Sequence, residues 1–155
     1  MDQQNKIHVL YVDDEENNLI AFKASFRRDF KIFTAISVAE AKVVLAQNEI
    51  HVLITDQRMP VALGTELLAE AVKQFPDQIR IILTGFADID ALQDAINRGQ
   101  IYCYLQKPWN DAELKITIEK AYKIYRLKKD KEELTEKLIT INEQLEFYLR
   151  QKLLT

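Results

Sequence analysis

A single cysteine, Cys103, stands among 155 residues. One thiol excludes an intramolecular disulfide framework. Its place in the run Ile101-Tyr102-Cys103-Tyr104-Leu105 gives it the character of a buried, inert group. No apolar stretch reaches the roughly 20 residues that a membrane span requires, so no membrane association is expected. The opening Met1-Asp2-Gln3-Gln4-Asn5-Lys6 lacks the apolar core of a signal peptide. These absences point to a reducing, cytoplasmic setting. Basic residues are not in excess either. A net charge of −3 removes the electrostatic ground for non-specific nucleic-acid binding. There is no helix-turn-helix pattern with a basic recognition helix, and no long catalytic region. Glycine and proline are both missing from Tyr125 to Thr155. The chain has room for one compact domain plus an extension, and at 48% hydrophobic it can bury a core.

Short apolar runs alternate with longer helical patterns. The runs Ile7–Val12, Lys31–Ala35, His51–Thr55, Gln78–Leu83 and Tyr102–Gln106 read as strands. Asn17–Arg28, Val38–Gln47, Gly64–Phe75, Ile89–Arg98 and a segment from Asp111 onward read as helices. Such alternation predicts an α/β fold, a parallel sheet with helices on both faces. Nearly continuous apolar strands fit burial on both sides. Ser37 with Glu40 three residues on reads as a capping box. Gly99 fits a helix stop, Pro76 ends the third helix after Phe75, and Asn110 or Asp111 can cap the last one.

Three acids fall at strand ends. Asp13 and Asp14 follow the first strand, and Asp56 follows the third. Ligands of open parallel sheets bind beyond the carboxyl ends of the strands, so these groups are expected to converge there. Clustered carboxylates repel one another and raise each other's proton affinity. An oxygen-only, half-open cluster suits Mg²⁺ or Mn²⁺, which welcomes phosphate oxygens. His8 and His51 fall at the opposite ends of the same strands and are poor candidates for this site. Two further strand ends carry Thr84-Gly85 and Lys107-Pro108. A hydroxyl and a compact cation beside a metal complete a phosphoryl-binding pocket. Asp56 stands alone on the central strand and is the expected nucleophile, which would form an aspartyl phosphate.

Val12-Asp13-Asp14-Glu15, Asp56-Gln57-Arg58-Met59-Pro60 with Gly64 beyond, Thr84-Gly85 and Lys107-Pro108 together resemble the receiver domain of two-component response regulators. The resemblance covers roughly Lys6 to Tyr125. It implies the flavodoxin-like, doubly wound five-stranded sheet of order 2-1-3-4-5. It implies Asp56 as phosphoacceptor, charged by a sensor histidine kinase or a phosphotransfer protein. Asp13, Asp14, Asp56 and the backbone carbonyl of Arg58 match the metal ligands. Lys107 and Thr84 match the phosphate-contacting pair. Tyr104 matches the aromatic switch residue that turns inward when the threonine moves toward the phosphate. Tyr102, on the same strand face by alternation, is its competitor. Gln57 and Arg58 flank the nucleophile and could tune the lifetime of the phosphate. Trp109 reads as an apolar anchor. On this reading the chain is not an enzyme beyond its own phosphorylation and dephosphorylation. A phosphatase working through an aspartyl phosphate would commonly carry an acid two residues after the nucleophile, where this chain has Arg58.

The domain is expected to span residues 1–125 and a helical extension 126–155. In the extension Ile124, Leu127, Leu134, Leu138, Ile141, Leu145 and Tyr148 recur at alternating spacings of three and four, with Lys131 and Lys152 on the same seam. This heptad pattern predicts a long C-terminal helix and a homodimeric, parallel coiled coil. A helix folded back on its own domain, or docked on an absent one, is the alternative. The basic stretch Lys120–Lys129 is followed by acids and reads as a solvated face, not a nucleic-acid surface. A dimerising structural adaptor of receiver shape is the bland alternative for the whole chain.

Overall fold

The computed structural model describes residues 6–85 and 89–154. Ten elements follow in chain order: β1 (His8–Val12), α1 (Glu16–Phe26), β2 (Lys31–Ala35), α2 (Val38–Gln47), β3 (Val52–Thr55), α3 (Gly64–Gln74), β4 (Ile79–Thr84), α4 (Ile89–Asn97), β5 (Cys103–Gln106) and α5 (Asp111–Leu154). The strands form one parallel sheet of order β2-β1-β3-β4-β5. The expected fold class is therefore observed. The ends differ by a residue or two. β4 runs on to Thr84, which pairs with Gln106 of β5, so that threonine is a strand residue and not the start of a turn.

Strand alternation divides the core in two. Val9 and Tyr11 face Phe22 and Phe26 of α1 and Leu114, Ile118 and Ala121 of α5. Leu10 and Val12 face Leu45 of α2, Leu67 and Leu68 of α3, and Leu92 of α4. Both faces of the central strands are thus dry, which is why their sequences are almost wholly apolar. The expected punctuation acts locally. Ser37 Oγ accepts the Glu40 N–H at 3.1 Å, Gly99 takes φ +73° where α4 stops, and Asn110 Oδ1 accepts the Glu113 N–H at 3.0 Å.

The amino-terminal edge of the sheet holds the histidines. The His8 N–H donates to His51 Nδ1 at 2.9 Å, and the His51 ring packs on Tyr122 and Tyr125. Arg80 also lies toward this end, in a run that reads as apolar. Its buried guanidinium donates to the carbonyls of Gln78 (2.6 Å), Gln100 (2.7 Å), Phe75 (3.3 Å) and Gly99 (3.4 Å). The carbonyls that end α3 and follow α4 carry partial negative charge, so they can hold a cation that burial alone would disfavour.

The chain divides into two units, Met1–Tyr125 and Arg126–Thr155. In the first, Ile124 packs against the α1/α5 core, so the first position of the heptad series serves the domain interior. In the second, Leu127, Leu134, Leu138, Ile141, Leu145 and Tyr148 are 53% to 68% exposed. Arg126 pairs with Asp130 at 3.2 Å along the helix.

Phe22 is fully buried, with ring neighbours Tyr11 and Phe26. Phe22→Ala is expected to lower unfolding free energy by about 3–5 kcal/mol, measured by urea denaturation. Ile139→Ala, at a 53% exposed position, is expected to change the isolated chain by no more than about 0.5 kcal/mol.

Candidate functional site

Ladder hydrogen bonds carry past the strand ends and set the acids in place. The Asp13 N–H donates to the Ala35 carbonyl at 3.1 Å, and the Asp56 N–H to the Val12 carbonyl at 2.8 Å. The Lys107 N–H donates to the Thr84 carbonyl at 2.9 Å. One carboxylate oxygen from each of Asp13, Asp14 and Asp56 lies within 4.8 Å of the others. The Lys107 ammonium stands 2.6 Å from Asp13 Oδ2 and 3.2 Å from Asp56 Oδ2. The structure thus brings together four of the residues expected from the sequence.

Asp13, Asp56 and Lys107 are buried or half-buried, and each of the three is shifted. Burial pushes the Asp13 carboxyl up, but hydrogen bonds from Lys107, Tyr11 and the Glu15 N–H outweigh it and hold it below the usual range. Burial holds Asp56 above its ordinary value, with the Asp13 charge adding to it and Lys107 opposing. Burial would lower Lys107, yet its bond to Asp13 and the charges of both acids push it up. One ammonium among three carboxylates leaves net negative charge, and the donor set is oxygen alone. Both properties fit a hard divalent cation such as Mg²⁺.

The remaining expected residues have definite places. Thr84 is fully buried at the end of β4, and residues 86–88 beyond it lie outside the described residues. Arg58 is exposed in the loop after β3 and bridged to Leu63. Tyr104 is half-buried against the α2–α4 side of the core, whereas Tyr102 is 40% exposed. Alternation could not separate the two tyrosines, but packing does. Trp109 anchors the start of α5, edge-on to Tyr11 and Phe22 at 6.1 and 5.8 Å. Gln57 is buried and turned into the loop: its Oε1 accepts the Thr65 N–H at 3.0 Å and its Nε2 donates to Thr65 Oγ1 at 3.3 Å. It braces the segment that follows Asp56.

Three contributors escaped the sequence reading or were underused by it. The Tyr11 hydroxyl donates to Asp13 Oδ2 at 2.6 Å, and Asn18 Nδ2 donates to the same oxygen at 3.1 Å. Same-face spacing of two along β1 was the available signal for Tyr11. Gly64 was noted only as part of a motif. Its N–H donates to the Gln57 carbonyl at 2.8 Å, and a Cβ there would collide with the Asp56 carbonyl oxygen. The loop can close on Asp56 only because α3 begins with glycine.

A family description of the response regulator receiver domain matches residues 9–119. The chain belongs to the response regulator receiver family. Among curated relatives, the hydrogenase transcriptional regulatory protein HoxA of Cupriavidus necator is 32% identical over 145 residues, covering 94% of this chain and 30% of its own length. The receiver thus spans less than a third of that relative. A solved structure described as adenylate cyclase from Rhodopirellula baltica aligns with TM-score 0.81 at 32% identity, covering 85% of this chain and 98% of that one. The response regulator TrrA of Thermotoga maritima, solved in complex with Mg²⁺ and BeF, aligns with TM-score 0.66 at 27% identity, covering 74% and 98%. The chain is therefore similar to receivers of two-component systems in sequence and in fold. Among the described residues of this receiver, no helix is long and apolar enough to cross a membrane.

Gly64→Ala is expected to lower stability by about 1–3 kcal/mol through overpacking against the Asp56 backbone. Chemical denaturation measures it. Thr65→Ala, which keeps the Gln57–Thr65 backbone contact, is expected to cost less.

Proposed function

We propose that this receiver is a phosphorylation-operated switch. The Asp56 carboxylate attacks the phosphorus of a phosphohistidine on a sensor kinase or phosphotransfer protein. A P–O bond forms, the P–N bond breaks, and the imidazole leaves with its electron pair and takes up a proton. The observation that supports this most is the Lys107 ammonium held at 2.6 and 3.2 Å from Asp13 and Asp56, in a pocket where Asp14 joins them. Mg²⁺ or Mn²⁺, held by Asp13, Asp14, Asp56 and the Arg58 carbonyl, would neutralise the oxygens of the transferring phosphoryl group. Lys107 then has a phosphoryl oxygen to bind in place of a carboxylate. Thr84, at the neighbouring strand end, donates its hydroxyl to another.

The switch follows from packing. A dianion recruits the Thr84 hydroxyl, and the half-buried Tyr104 ring takes a deeper position. A bias of a few kcal/mol between two packings is enough for such a change. The output is a dimer formed by the heptad stripe of the extension, whose Leu127, Leu134, Leu138, Ile141 and Leu145 are all more than half exposed. Relatives such as HoxA are transcriptional regulators more than three times as long, and by that likeness the signal passes to an output region outside this sequence. The receiver acts only on its own Asp56. Arg58 stands where a phosphohydrolase of this chemistry would place its general acid. Cytoplasmic reducing conditions suit Cys103, which is half-buried and whose thiol burial pushes up to about 11.

With acetyl phosphate and Mg²⁺, the natural chain is expected to gain one phosphoryl group by intact mass. Asp56→Asn is expected to gain none, and retention of the group by that variant would refute the assignment. Light scattering is expected to give a dimer mass for the chain treated with beryllofluoride, and a monomer mass for Leu138→Asp under the same conditions.

A further inference from the structure

Tyr11 is fully buried on β1, two residues before Asp13. Its ring packs against Phe22 at 4.5 Å and edge-on to Trp109 at 6.1 Å. A buried phenol needs a hydrogen-bond partner. This one bonds a carboxylate that the proposed function assigns to a cation. We propose that Tyr11 is a positioning residue of the metal centre: its hydroxyl holds the Asp13 carboxylate in the orientation that a divalent cation meets. The inference rests on the metal reading above and deepens it.

The donors to the Asp13 carboxylate gather on one of its oxygens. Oδ2 accepts from the Tyr11 hydroxyl (2.6 Å), Lys107 Nζ (2.6 Å) and Asn18 Nδ2 (3.1 Å), and Oδ1 accepts the Glu15 N–H (2.9 Å). Each carboxylate oxygen offers about two lone-pair sites, so Oδ2 is saturated while Oδ1 keeps one open. A cation can meet Oδ1 directly, and one that takes Oδ2 must displace a donor. Lys107 reaches in on a flexible stem and also faces Asp56. Asn18 shares its amide with Glu15 Oε2 at 3.2 Å. Both have other acceptors to turn to. The Tyr11 ring is locked between aromatic neighbours in a close-packed core. Its hydroxyl and the Glu15 N–H thus remain on Asp13 when Lys107 and Asn18 let go. Without that hydroxyl, only the Glu15 N–H holds the carboxylate once the two mobile donors leave. Partners of this kind, bonded to a metal ligand but not to the metal, typically account for about 10–100-fold in affinity.

The test is a calorimetric titration of the whole chain with Mg²⁺ alone. Tyr11→Phe is expected to raise Kd about tenfold or more. Asn18→Ala, which removes a displaceable donor, is expected to raise it less. Thermal unfolding supplies a readout that separates positioning from packing. A merely structural tyrosine would lower Tm equally in EDTA and in Mg²⁺. A positioning role shrinks the rise in Tm that a fixed Mg²⁺ concentration produces. Tyr11→Phe binding Mg²⁺ as tightly as the natural chain, or Asn18→Ala weakening it as much, overturns the inference and leaves the metal reading intact. A natural chain that binds no Mg²⁺ overturns both.

Discussion

The ammonium of Lys107, set between Asp13 and Asp56, is the interaction around which the site is organised. Three carboxylates at one sheet edge repel one another, and burial makes that repulsion costly. The cation that the structure sets between Asp13 and Asp56 follows the far edge strand, β5, which is separated from β1 by β3 and β4. Side chains 94 residues apart meet at 2.6 Å because parallel pairing ends β1, β3, β4 and β5 on the same side. The ladder bonds at Asp13, Asp56 and Lys107 make this meeting a property of the sheet rather than of loose loops. On the phosphoryl-transfer function proposed above, the ammonium would change partners without the backbone having to move.

The two faces of the sheet serve different ends. On the α1/α5 face, Tyr11, Phe22 and Trp109 form an aromatic cluster directly beneath Asp13, so the metal-side acid stands on rigid packing. On the other face, Tyr104 meets the core only in part. The two tyrosines nearest the site are thus packed differently, one enclosed by aromatic rings and one at the margin of the core. The loop after β3 is held in turn, since Gly64 and Gln57 tie it back on Asp56.

The extension poses a different problem. A helix of 44 residues, α5, contributes Leu114, Ile118 and Ala121 to the domain core. Past Tyr125 its apolar stripe remains exposed. Helices in proteins draw most of their stability from packing an amphipathic face, and this stripe is the surface on which the proposed dimer rests. Ile124 marks the transition. It fits the heptad spacing, yet it is packed against the interior of the domain.

Much was legible in the order of residues alone. Apolar runs alternating with helical patterns identified a parallel sheet with helices on both faces, because burial on both sides leaves strands few other compositions; the strand order came from the family resemblance. Acids at two strand ends and a lysine at a third pointed to one edge, because parallel strands in such a sheet share a carboxyl side. Other features required the folded chain. Periodicity places Tyr102 and Tyr104 on one face, but only packing shows that one is exposed and the other half-buried. Arg80 looks misplaced in an apolar strand until four carbonyls from two segments surround it. The bond from Tyr11 to Asp13, and the clearance that Gly64 allows the Asp56 carbonyl, depend on distances of a few tenths of an ångström. Local sequence determines which groups are available and on which face they lie. Only long-range packing decides which of them come within bonding distance, because that depends on elements far apart in the chain.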